Sequence, residues 1–84
     1  MIDVTLYTKP GCHLCDAAAQ VIGQVGRRVE LRLIKRNILD DPEDFRRYQF
    51  EIPVIFLGDK EIARHRITVA ELEAAVRGAV RNSS

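Results

Sequence analysis

Tryptophan is absent from this chain of 84 residues, cysteine occurs only twice and proline three times. No apolar run approaches the roughly 18 residues that a membrane-spanning helix needs. Each scarcity excludes something. A single pair of cysteines is too few for a secreted scaffold held together by several disulfides. No second pair is available to complete a structural zinc site, so no metal is expected. Charge of one sign is also missing: thirteen basic residues stand against twelve acidic ones, a formal net charge of +1. Net charge therefore offers no argument for a nucleic-acid partner. Met1 leads straight into an alternating segment, without a charged and apolar leader. This predicts a cytoplasmic protein with no membrane association, in a compartment where a purely structural disulfide would be reduced.

What is present reads as one globular domain. Apolar residues make up 46% of the chain and charged ones 30%, a composition of folded proteins rather than of disordered or fibrous ones. Residues 1–81 are expected to form the domain and 82–84 a disordered tail. Ile2, Val4 and Leu6 alternate with Asp3 and Thr5, the pattern of a half-buried strand. After the break at Pro10-Gly11, Leu14, Ala18, Val21, Ile22 and Val25 mark one face of a helix that stops near Gly26. Val29, Leu31 and Leu33 predict a second strand. Asp41-Pro42-Glu43-Asp44 carries a cap acceptor, a first-position proline and acids in the first turn, which start a short helix with Phe45 and Tyr48 facing inward. Pro53 opens a third strand, Val54–Leu57, and Gly58-Asp59 has the chemistry of a two-residue hairpin turn into a fourth, Lys60 to Arg64. Thr68-Val69-Ala70-Glu71 is a capping box, and Val69, Leu72, Val76 and Val80 form the apolar stripe of the last helix. The order β-α-β-α-β-β-α predicts an α/β domain: one mixed four-stranded sheet with helices on both faces.

The two cysteines are spaced C-x-x-C, in Tyr7-Thr8-Lys9-Pro10-Gly11-Cys12-His13-Leu14-Cys15-Asp16. Position makes the pair informative. A thiol where a strand hands over to a helix sits at the positive end of the helix dipole, which favours the thiolate that attacks disulfides. Lys9 and His13 are nearby groups that would add to the same effect. Arg64-His65-Arg66 reads as a charged, aggregation-resistant edge, or as a site for a substrate carboxylate.

These features together resemble the glutaredoxin-like branch of the thioredoxin-fold superfamily. The resemblance rests on Tyr-Thr-Lys-Pro-x-Cys-x-x-Cys, on Ile52-Pro53-Val54 at the third strand, and on the hairpin followed by a terminal helix. It implies that Cys12 is the attacking thiol and Cys15 the resolving one. It also implies that Pro53 is a cis-proline beside the site, and that Ile52 offers backbone groups to a bound peptide or to glutathione. Lys9, His13, Ile52 and Pro53 are then the expected substrate-binding residues. Ordinary glutaredoxins carry a Gly-Gly-x-Asp run before the last helix; here the region reads Arg64-His65-Arg66-Ile67-Thr68. The activity implied is dithiol reduction of a disulfide in a protein or small molecule, with no tightly bound cofactor. Electrons would come from glutathione or a reductase, and the protein would be a monomer. The alternatives are a non-catalytic adaptor or redox sensor and, further off, a carrier of metal or an iron-sulfur cluster.

Overall fold

Strand β1 (Ile2–Thr8) forms the spine, because it is hydrogen-bonded on both edges. The computed structural model describes residues 1–82, with side chains through residue 79. Along the chain follow α1 (His13–Gly26), β2 (Leu31–Asn37), a 3-10 turn (Ile38–Asp40), α2 (Pro42–Tyr48), β3 (Val54–Leu57), β4 (Lys60–Arg64) and α3 (Val69–Asn82). The sheet order is β2-β1-β3-β4. β1 runs parallel to β2 and antiparallel to β3, and β3 turns back through Gly58-Asp59 to pair with β4. Gly58 has φ +59°, the left-handed conformation that such a tight turn requires and glycine adopts without cost. This is the α/β architecture expected from the alternation of elements.

The pleat sends alternate residues of β1 to opposite faces. Val4 and Leu6 point to the face covered by α1 and α3, where they join Ala18, Ile22, Val25, Ile55, Ile67, Leu72 and Val76 in the main core. Tyr7 points the other way, into a smaller cluster built from Ile38, Tyr48 and Val54, with Ile52 and Phe56 against it. The Tyr7 and Tyr48 rings lie 4.7 Å apart. Burial raises the Tyr7 phenol above its ordinary pKa, against the opposing pull of Arg36. Tyr7 thus stays neutral and serves packing.

Several expected positions shift. The inward face of α1 is Cys15, Ala18, Ile22 and Val25, so Leu14, expected inside, is rotated one residue off it and is 47% exposed. In α2 the inward residues are Asp44 and Tyr48, one helical turn apart; Phe45 lies beside that face and is 37% exposed. Asp44 is tolerated inside because Arg36 Nη2 donates to its Oδ2 at 3.2 Å. Val29 does not open β2, since its N–H still bonds Val25 O at the end of α1; the strand starts at Leu31 and runs to Asn37. Asn82, expected in the tail, closes α3, while residues 83–84 and the Val80 side chain lie outside the description.

The caps follow the sequence closely. Asp41 Oδ1 accepts from Glu43 N–H at 2.8 Å. In the capping box, Thr68 Oγ1 accepts from Glu71 N–H at 3.1 Å and Glu71 Oε1 from Thr68 N–H at 3.0 Å. Thr68→Ala is expected to lower unfolding stability by about 1 kcal/mol. Leu72→Ala, which empties a fully buried site, is expected to cost about 3 kcal/mol. Urea denaturation checks both, with an unchanged slope and a lower midpoint for each variant.

Candidate active site

Between β1 and α1 the chain turns sharply at Pro10-Gly11. Gly11 has φ +83°, and a Cβ built there would meet nothing within 4 Å, so the need for glycine comes from the backbone alone. The turn delivers Cys12 to the N-cap of α1, in extended conformation with φ −91° and ψ 106°. Its carbonyl accepts the first helical bond from Asp16 N–H at 3.1 Å, and its Sγ accepts from Cys15 N–H at 3.2 Å. A sulfur therefore fills the place that Ser, Thr or Asp takes at most helix starts. Cys12 and Cys15 are bonded as a disulfide, with Cα atoms 5.2 Å apart. Their environments differ: Cys12 is partly exposed, whereas Cys15 is 2% exposed on the inward face of α1.

The second half of the site comes from the start of β3, the antiparallel neighbour of β1. Tyr7 lies opposite Val54 in the β1–β3 register, so Pro53 falls at the end of β1 from which the Cys12 turn departs. The Ile52–Pro53 peptide is cis, and the Pro53 side chain is fully buried. Ile52 has one of its backbone groups engaged. Its N–H already bonds Tyr48 O at 3.1 Å, as the turn after α2 tightens, and so it is not free to pair with a substrate strand. The Pro53 carbonyl accepts from His65 N–H at 2.8 Å.

His65 adopts φ +70°, which is uncommon for a residue with a Cβ. Its ring Nε2 lies 2.8 Å from Glu51 Oε2, and Arg64 approaches the same carboxylate at 3.8 Å. Arg64 is paired with Glu61 as well; that hydrogen bond holds the Glu61 carboxyl below its usual range and raises the guanidinium. Of the Arg64-His65-Arg66 run, two members are committed to internal carboxylates. Glu51 was not singled out from the sequence, and no pattern there links it to residue 65.

A cavity of about 260 Å³ lies between the start of α1 and the segment that leads into α3. Leu14, Ala17 and Ala18 of α1 form one wall, and residues 65–68, including Arg66 and Ile67, form the other. Leu14 is thus part of the C-x-x-C motif and of this groove at once. Lys9 and His13 are both exposed, the former in the turn and the latter as the first residue of α1. Neither has a carboxylate within ion-pair distance among the described residues.

A parallel strand, a cysteine-capped helix and a buried cis-proline at one end of a mixed sheet define a thioredoxin-like fold. The model of the glutaredoxin-like domain family (DUF836) matches residues 3–77. The chain belongs to that family. Solved structures agree on the fold. The protein XcR50 from X. campestris superposes with a TM-score of 0.74 at 26% identity, over 89% of this chain and 96% of that one. Protein Ne2328 from Nitrosomonas europaea gives 0.76 at 24% identity, over 88% and 89%. A chloroplastic thioredoxin z gives 0.74 at 14% identity, over 98% and 80%.

The turn that presents Cys12 can be tested through its backbone. Gly11→Ala, forced to positive φ, is expected to lose about 1 kcal/mol of stability. Gly23→Ala, on an exposed helix position with open space around it, is expected to gain about 0.5–1 kcal/mol. Thermal unfolding of the two variants should therefore move in opposite directions from the parent.

Proposed function

We propose that the protein is a dithiol-disulfide oxidoreductase, with Cys12 as the attacking thiol and Cys15 as the resolving one. The observation that carries this reading is the Cys12 sulfur at the N-cap of α1, accepting the Cys15 amide at 3.2 Å. In the reduced protein the same amide and the helix dipole favour the charged form of that sulfur. The unequal exposure of the two cysteines supports their unequal roles.

The Cys12 thiolate attacks one sulfur of a substrate disulfide; that bond breaks, and the other sulfur leaves as a thiolate that takes up a proton. Cys15, deprotonated, then attacks Cys12 Sγ and expels the second substrate sulfur, leaving the Cys12–Cys15 disulfide. Two electrons and two protons from an external thiol reductant restore the dithiol. Glutathione and a dithiol reductase are both chemically competent donors. Lys9 and His13, exposed around the attacking sulfur, would stabilise its charge through space, and the buried Pro53 would form the wall against which a substrate lies.

Cys12→Ser is expected to abolish hydroxyethyl-disulfide and insulin reduction. Cys15→Ser should instead accumulate a covalent adduct between Cys12 and substrate, seen as a mass increase that a reductant reverses. Equal loss in both variants without an adduct would contradict the assigned roles.

A further inference from the structure

The groove between α1 and residues 65–68 has a chemical character of its own. Its apolar lining comes from Leu14, Ala17, Ala18 and Ile67, and His65, Arg66 and Thr68 complete it. Leu14 is 47% exposed in the absence of a partner, in a position where covering it would remove apolar surface from water. One charged group that lines it is Arg66. The surrounding acids are spoken for: Glu51 holds His65 and Arg64, Glu61 holds Arg64, and Glu71 caps α3 through the Thr68 amide. Arg66 itself has no carboxylate within ion-pair distance among the described residues. Its backbone is held, however, because its N–H bonds Arg64 O at 2.7 Å. Asp16, in the first turn of α1, is the opposing charge on the helix side of the site; against it stand Lys9 and Arg66.

An apolar slot that reaches the C-x-x-C motif through Leu14 and carries the Arg66 guanidinium in its lining is complementary to a short peptide and poorly matched to a basic one. We propose that the groove takes the segment next to the disulfide of a protein substrate: an apolar side chain enters between Leu14 and Ile67, and a neighbouring carboxylate pairs with Arg66. The proposal rests on the dithiol reading and narrows its substrate to apolar, acidic segments of proteins. Selectivity of this kind comes from a rim charge, so it is modest in affinity and sensitive to salt.

The test separates docking from chemistry. The oxidised protein is titrated, by amide chemical shift at low ionic strength, with a hexapeptide that contains one leucine, two glutamates and serine in place of cysteine. A lysine-for-glutamate counterpart is titrated in parallel. The expected shifts fall on Leu14, Ala17 and Ile67, with the glutamate peptide binding about threefold more tightly or better. Arg66→Ala should bring the two peptides to equal affinity, and Leu14→Ser should weaken both. Equal affinities in the parent protein, shifts centred elsewhere, or no binding of either peptide would overturn the proposal. Hydroxyethyl-disulfide turnover by the parent protein is measured beside it: failure there would contradict the dithiol reading and leave the groove result standing on the titration.

Discussion

The site depends first on the backbone pairing of β1 with two different neighbours. Parallel pairing with β2 requires a crossover, and α1 supplies it. Antiparallel pairing with β3 brings Val54 opposite Tyr7, and so carries Pro53 to the end of β1 where the cysteine turn begins. Val4, Leu6 and Ile55, each no more than 1% exposed, hold these pairings under α1 and α3. Slipping the β1–β3 register by one residue would turn Leu6 out of the core, so packing and site geometry are enforced together.

On that frame Cys12 is positioned by a helix start. A hydroxyl or carboxylate at the N-cap would satisfy the same orphan amide, but only sulfur couples capping to redox chemistry. Placing Cys15 three residues on gives it the inward face of α1, where Ala18, Ile22 and Val25 continue the stripe. The partner thiol is thus shielded by the core while the capping thiol meets solvent. Around them, residues 64–66 divide the labour: Arg64 and His65 tie the end of β4 to Glu51, and Arg66 is left facing the groove.

Local chemistry made much of this legible in the sequence. The element order, the Gly58-Asp59 hairpin, the Asp41 and Thr68 caps and the placement of the cysteine pair all follow from short-range patterns, and the structure matches them. Family resemblance supplied the cis bond before Pro53, which no local rule demands. What failed did so for tertiary reasons. Leu14 fits the helical period, yet Cys15 one residue later is the true start of the buried stripe. Phe45 is more apolar than Asp44, but Arg36 from β2 makes the acid the better inward residue. The Glu51–His65 contact joins the segments before β3 and after β4 at one end of the hairpin and leaves no trace in either segment alone.

The proposed chemistry requires that, in the reduced protein, the start of α1 favours the Cys12 thiolate. The most direct measurement is the rate of iodoacetamide alkylation of Cys12 against pH, in a Cys15→Ser background, for the folded protein and for the same chain in denaturant. The account predicts that the half-maximal rate of the folded protein comes at a clearly lower pH than that of the unfolded chain. Coincident profiles would contradict it.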